Sequence, residues 1–302
     1  MLVTYSWLAE RLDDPLVAIV DLRWREDGSG RARYVTGHIP GAVYLDWSVD
    51  LVDPGHRFAF MLAPPERLAH VLGAAGIGDG CAVVAYADDH GSGPHRLWWA
   101  SRVHGHEDVV VLDGGFDRWQ AERLPVEPGV AVRPRAVWTP GRAVGGRVAT
   151  AEDVAAAADD PDAIVLDSRP AEQFRGEAVW FETGPIPAGP DGVARTPRGE
   201  LRAGRVPWAK NVPAEDLYHR DFTLKSPREL RELFDAKGVT ERSSAITYCG
   251  VGISASALAF ALTVAGVRDV RLYDASWDEW GRDPARPVVR DRATPGLSLI
   301  HI

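Results

Sequence analysis

The chain repeats itself. Ile19-Val20-Asp21-Leu22-Arg23 returns as Val165-Leu166-Asp167-Ser168-Arg169, and Gly37-His38-Ile39-Pro40-Gly41-Ala42 returns loosely as Gly204-Arg205-Val206-Pro207-Trp208-Ala209. Leu112-Asp113-Gly114-Gly115-Phe116-Asp117-Arg118-Trp119 returns as Tyr273-Asp274-Ala275-Ser276-Trp277-Asp278-Glu279-Trp280. Recurrence at three places in one order points to two copies of one fold, each long enough to bury its own core. The spacing predicts a first copy over 1–123, an ordered linker rich in Pro, Gly, Val and Arg over 124–149, a second copy over 150–289 and a tail over 290–302. The second copy is longer, and the excess falls between Arg169 and Gly204. There residues 183–190, with two glycines and three prolines, read as an inserted loop.

Each copy alternates strand and helix patterns. Residues 81–86 and 245–248 are short apolar runs suited to strands buried on both faces. Helices are predicted after them, over 95–103 and 254–265. Ser226-Pro227-Arg228-Glu229 is a capping box with proline at the first helical position, and Thr150-Ala151-Glu152-Asp153 opens a helix in the same way. Alternation of this kind predicts an α/β fold, a mostly parallel sheet flanked by helices in each copy.

Composition narrows the function classes. Hydrophobic residues are 45% and charged residues 25%, the balance of a soluble globular protein. No apolar run approaches the roughly 20 residues that span a bilayer. The N-terminus lacks a basic segment and a signal-length apolar stretch, so a cytoplasmic location is expected. A formal net charge of −9 argues against nucleic acid or an anionic membrane as partner. Two cysteines, Cys81 and Cys249, support neither a disulfide framework nor a cysteine–histidine metal site, so no metal or cofactor is expected. His104-Gly105-His106 reads as a solvated helix-to-strand turn rather than a metal site. Cys81, inside an apolar run, reads as a buried structural cysteine.

Cys249 is different. It follows a strand and precedes a helix, which in open α/β sheets is where reactive sites lie. Gly250 and Gly252 let the backbone turn sharply. A tight loop feeding a helix can aim its amides inward as an anion cradle, and the same field favours thiolate, the nucleophilic form. The loop Gly250, Val251, Gly252, Ile253, Ser254 and Ala255 is therefore the candidate binding site beside the candidate nucleophile. A buried structural cysteine is the alternative.

These motifs carry a family resemblance. Asp21-x-Arg23 and Asp167-x-Arg169, Gly37-His38-Ile39-Pro40-Gly41-Ala42, Val111-Leu112-Asp113-Gly114-Gly115-Phe116, Tyr248-Cys249-Gly250 and Asp274-Ala275-Ser276-Trp277 together resemble two-domain rhodaneses of the thiosulfate and 3-mercaptopyruvate sulfurtransferase type. The resemblance spans nearly the whole chain and implies tandem rhodanese-like domains, with the cysteine in the second. It implies a transfer of sulfane sulfur from a small anionic donor, through a persulfide on Cys249, to a thiol or cyanide. A thioredoxin-like protein is among the acceptors it allows. Arg175 matches a family arginine near the active site and would bind the donor's anionic group; pairing with Glu172 or Glu177 is the alternative. Asp21, Arg23, Asp167 and Arg169 read as structural ion pairs, while Trp277 and Trp280 either wall the pocket or fill the core.

Departures from the family pattern bear on the donor. Mercaptopyruvate enzymes usually place a serine two residues after the cysteine, where this loop has Val251. The first-domain aspartate and histidine that work with it fall at Ser48 and Phe60. Thiosulfate is therefore the first expectation and 3-mercaptopyruvate the alternative, although Gly250 and Val251 supply no charge for a dianion. A phosphatase would need Cys-x5-Arg, with arginine clamping a tetrahedral oxyanion, and that position is Ala255. A non-catalytic rhodanese-like binding or regulatory protein is the rival of another class.

Overall fold

The structure is a computed structural model and describes residues 1–88, 91–142, 145–181 and 184–291. The first half contributes strands β1 (Leu2–Val3), β2 (Val17–Asp21), β3 (Val43–Tyr44), β4 (Ala82–Tyr86) and β5 (Val109–Leu112), and the second begins with β6 (Val148–Ala149) and β7 (Ala163–Asp167). Four strands of the longer excursion follow: β8 (Ala178–Phe181), β9 (Gly184–Pro187), β10 (Val193–Thr196) and β11 (Gly199–Arg202). The chain ends its sheet with β12 (Lys210–Asn211), β13 (Ser244–Tyr248) and β14 (Asp269–Tyr273). One sheet runs β1-β5-β4-β2-β3 and the other β12-β7-β13-β14-β6. Read from opposite ends, these are one order, and every pairing in both is parallel. The repeat in sequence is thus a repeat in topology, with helices covering both sheets.

The central strands are buried along nearly their whole length, which explains why they read as unbroken apolar runs. The recurring Asp-x-Arg motif does the same work twice. Arg23 Nη2 bonds Asp21 at 2.6 Å and the Gly37 carbonyl at 2.7 Å; Arg169 Nη2 bonds Asp167 at 2.6 Å and the Gly204 carbonyl at 2.7 Å. Each pair ties the end of a central strand to the return loop. Both capping boxes form, at Thr150 with Asp153 and at Ser226 with Glu229. The predicted helices run over Gly93–Val103 and Ile253–Val264. His104 caps the first of them, and the His-Gly-His string is the expected turn but not a solvated one, since His104 is buried against the Ala63 carbonyl.

Two readings need correction. The excess in the second copy is not a loop: β8 pairs with β9 and β10 with β11 as antiparallel hairpins. Proline misled there, because it removes a hydrogen-bond donor, yet a two-stranded ribbon leaves half its backbone groups unpaired and tolerates it. Thr183, the first residue of the expected loop, lies outside the described residues. Cys81 is half-buried and sits just before β4, not inside it. The stretch expected as a linker lies mostly on the first half, with bonds from Gly129 to Val35, Ala136 to Gly73 and Asp79 to Val137, before β6 enters the second sheet. Of the expected tail, residues 292–302 lie outside the described residues.

The halves meet through the two helices that follow the central strands. Ile253–Val264 is buried on nearly every face, as an apolar sequence without a polar side requires. Phe260 packs edge-on against Trp98 at 5.0 Å and His95 at 4.9 Å. Beside them lies a fully buried ion pair. Arg96 Nη1 reaches Asp274 Oδ1 at 2.5 Å, and its Nη2 bonds the Phe60 carbonyl at 2.7 Å. Asp274 Oδ2 in turn accepts the Leu62 amide at 2.7 Å, and Asp278 accepts that of Ala59 at 3.0 Å.

Two measurements check this interface. Arg96→Met leaves the Asp274 charge buried and uncompensated, so chemical denaturation is expected to show a loss of about 3–5 kcal/mol. His95 has a buried Nδ1 without a partner among the described residues, and burial pushes its imidazole down to about 3. The unfolded chain binds that proton near pH 6.5 while the folded chain refuses it, so stability falls as pH drops below about 6.5, by at most about 1.4 kcal/mol per unit from this group. Denaturation followed between neutral and mildly acid pH is expected to show this slope, and His95→Gln to flatten it.

Candidate active site

Cys249 follows β13 directly, at the carboxyl edge of the second sheet, and is 3% exposed. A second loop clamps it. The Cys249 amide donates to Ser276 Oγ at 3.1 Å, and its carbonyl accepts the Trp277 amide at 3.0 Å. The Gly250 carbonyl accepts the Asp278 amide at 3.0 Å. Ser276 holds a left-handed backbone, φ 51°, to make these bonds, and its hydroxyl donates to the Tyr273 carbonyl. Such strain persists where surrounding bonds over-determine it.

Only one of the two loop glycines is required by geometry. Gly252 has φ 81°, and a Cβ there would lie 2.5 Å from Asp274 Oδ1 and 2.6 Å from the Asp274 carbonyl. Gly250 keeps an ordinary backbone, and a Cβ would meet Trp180 at 3.7 Å, a normal contact. From Gly252 the chain enters the helix Ile253–Val264. Among the described residues, the amides of Gly250 through Ala255 have no protein acceptor. They are unspent donors at a helix N-terminus beside a sulfur atom, and an anion is what they fit.

A cavity of about 260 Å³ opens over Cys249, between the two halves. The first half supplies Leu22, Trp24, Trp47, Gly91 and Ser92; the second supplies Arg169, Pro170, Gln173 and Trp180 with Cys249, Gly250, Val251, Ile253 and Ser254. The lining is mainly apolar. Its polar side chains are Ser92, Arg169, Gln173 and Ser254, and Ser254 shares a 2.9 Å bond with Ser168. Arg169 and Gln173 are buried, and Arg169 Nη1 and Gln173 Oε1 have no hydrogen-bond partner among the described residues. Burial alone would weaken the Arg169 cation, yet the Asp167 carboxylate outweighs it and holds the guanidinium above its usual range.

The candidate residues divide accordingly. Cys249, Gly250, Val251, Ile253 and Ser254 line the cavity. Gly252 turns its carbonyl toward Arg96 at 3.5 Å, and Ala255 is fully buried behind the loop. Arg175 does not line the cavity. It precedes a left-handed turn at Gly176, is exposed, and holds Glu177 through Nε–Oε1 and Nη2–Oε2 bonds of 2.6 and 3.1 Å. The charged residue among the described lining is Arg169, and its guanidinium is held by Asp167 as the structural pair expected from the sequence. Ser48 lies outside this cavity, where it accepts from Trp24 and donates to Asp46, and Phe60 packs on Trp47 and Trp180. Trp277 and Trp280 are core residues, bonded to the Arg202 and Pro287 carbonyls.

Arg96, Trp24, Trp47 and Trp180 escape motif reading. Of the four, Arg96 alone stands in a segment that is buried along nearly its whole length. Among the described residues, no three His, Cys, Asp or Glu side chains gather to hold a metal, and no helix is long and apolar enough to cross a membrane.

Comparison with known proteins gives this geometry its context. A model of the rhodanese-like domain matches residues 4–122 and 150–283. The chain is 33% identical over 291 residues to the 3-mercaptopyruvate sulfurtransferase of Escherichia coli K12, covering 94% of this chain and 95% of that one. It is 31% identical over 302 residues to the sulfur carrier protein TtuD of Thermus thermophilus, covering 96% of each. The crystal structure of Escherichia coli SseA, a 3-mercaptopyruvate sulfotransferase, superposes with a TM-score of 0.76 at 32% identity, over 91% of this chain and 98% of that one. With two copies of one parallel sheet in one order and a domain match in each half, the chain belongs to the rhodanese-like domain family.

Proposed function

We propose that this protein is a sulfurtransferase in which Cys249 accepts a sulfane sulfur as a persulfide and passes it to an acceptor. One observation carries the reading: a buried cysteine at the floor of a cavity, with six successive loop residues, Gly250 to Ala255, whose amides have no acceptor among the described residues. Relatives named as sulfurtransferases and as a sulfur carrier support it.

The chemistry is covalent catalysis in two steps. The Cys249 thiolate attacks the outer sulfur of thiosulfate, the S–S bond of the donor breaks, and sulfite leaves with the electron pair. Cyanide or a thiolate then attacks the outer sulfur of the persulfide, and the electron pair returns to Sγ. Negative charge stays on or beside the sulfur throughout, so fixed amide dipoles that need no reorganisation stabilise both steps. Arg169, the charged residue of the described lining, supplies positive potential for the donor's anionic end, in place of Arg175, which does not line the cavity. Thiosulfate is the first donor. 3-Mercaptopyruvate is the second reading, favoured by the name of the Escherichia coli relative and disfavoured by Val251, Ser48 and Phe60, which offer no polar relay at the cavity.

Two outcomes check this. Thiocyanate formation from thiosulfate and cyanide is expected to follow ping-pong kinetics and to fall to background in Cys249→Ala; turnover retained by that variant, or absent from the wild type with every donor, defeats the proposal and favours a binding role. Arg175→Ala is expected to change KM for thiosulfate by less than about threefold, since an exposed pair contributes under ~1 kcal/mol. A larger rise would return Arg175 to the donor site.

A further inference from the structure

An acceptor must reach the outer sulfur of the persulfide, and the walls above Cys249 decide which acceptors can. Trp24 and Trp47 pack at 5.0 Å on the first-half side. Trp180, on β8, covers the loop from the other side: a Cβ on Gly250 would lie 3.7 Å from its Cβ and 3.8 Å from its Cε3. The β8–β9 hairpin also crosses to the first half. Trp180 sits 6.1 Å from the Phe60 ring, and a Cβ on Gly184 would lie 3.4 Å from the Glu26 carboxylate. This hairpin belongs to the length that the second half has and the first lacks.

We propose that Trp180 sets acceptor specificity, closing the Cys249 cavity to the cysteine of a folded protein and leaving it open to low-molecular-weight thiols. The inference rests on the reading of Cys249 as sulfur carrier. In the transfer step the acceptor thiolate attacks the outer sulfur, the bond from that sulfur to Sγ breaks, and Sγ departs as thiolate. The acceptor leaves as its own persulfide. Attack runs in line with the breaking bond, so the atoms behind the attacking sulfur must occupy the space between the three indoles. A small thiol fits a chamber of about 260 Å³. A cysteine on a folded surface brings its backbone and neighbours into the rings. Exclusion also keeps water from the persulfide, and the loop amides replace the hydration it loses.

The test loads wild type, Trp180→Ala and Trp180→Phe with sulfur from thiosulfate, then follows unloading by 2-mercaptoethanol or reduced thioredoxin with intact-mass spectrometry. The loading step reports on Cys249 by itself. The ratio of thioredoxin to 2-mercaptoethanol rates is expected to rise about tenfold or more in Trp180→Ala, equivalent to one decade of barrier, and to stay near wild type in Trp180→Phe. An unchanged ratio in Trp180→Ala overturns the proposal. Alkylation tests the same wall without loading: peptide mapping is expected to find wild-type Cys249 modified by iodoacetamide and spared by a polyethylene-glycol maleimide, with both reacting in Trp180→Ala. Equal access for both reagents in the wild type overturns it as well.

Discussion

The buried ion pair between Arg96 and Asp274 is the constraint on which the rest of the site depends. One guanidinium from the first half holds Asp274, the Phe60 carbonyl and the Gly252 carbonyl. Asp274 opens the loop whose Ser276, Trp277 and Asp278 clamp the backbone of Cys249 and Gly250. A single charge pair therefore connects the orientation of the two halves to the shape of the cysteine loop. Such a pair adds little net stability compared with an apolar contact, since both ions lose their water. Its loss on one side is severe, because the remaining charge has nowhere to go. Placing it here makes the closed relation of the halves a condition for a well-formed loop.

That dependence gives the first half a purpose although it carries no counterpart of Cys249. Leu22, Trp24 and Trp47 form one wall of the cavity, and Arg96 reaches across to brace its floor. The second half supplies the cysteine, the amides and Arg169. Duplication produced two sheets of one order, and the reactive cavity lies where they face each other. Trp180, on β8 of the length added to the second half, completes the lining.

Much of this was legible in the sequence because local physics and global fold agree. The repeated Asp-x-Arg strings predict matching strand ends, the capping boxes predict helix starts, and the apolar runs predict central strands. Cys249 stood out because a strand–loop–helix setting with glycine is a poor place for an inert cysteine. What was not legible is tertiary. Nothing local distinguishes Arg169, which is among the residues lining the cavity over Cys249, from Arg23, its twin in the other half. Arg175 matched a pattern, but the turn at Gly176 and the carboxylate of Glu177 hold it at the surface. The proline-rich excess looked like a loop because edge ribbons accept residues that interior strands reject. Arg96 is hidden inside a helix that its own sheet covers on one side and the distant helix Ile253–Val264 on the other.

The central claim is that Cys249 carries the sulfur, and intact-mass spectrometry after incubation with thiosulfate tests it most directly. The expected result is a gain of one sulfur atom in the wild type, reversed by cyanide and absent in Cys249→Ser. No gain with thiosulfate, with 3-mercaptopyruvate or with any other sulfane donor would contradict the account, as would a gain that survives in Cys249→Ser.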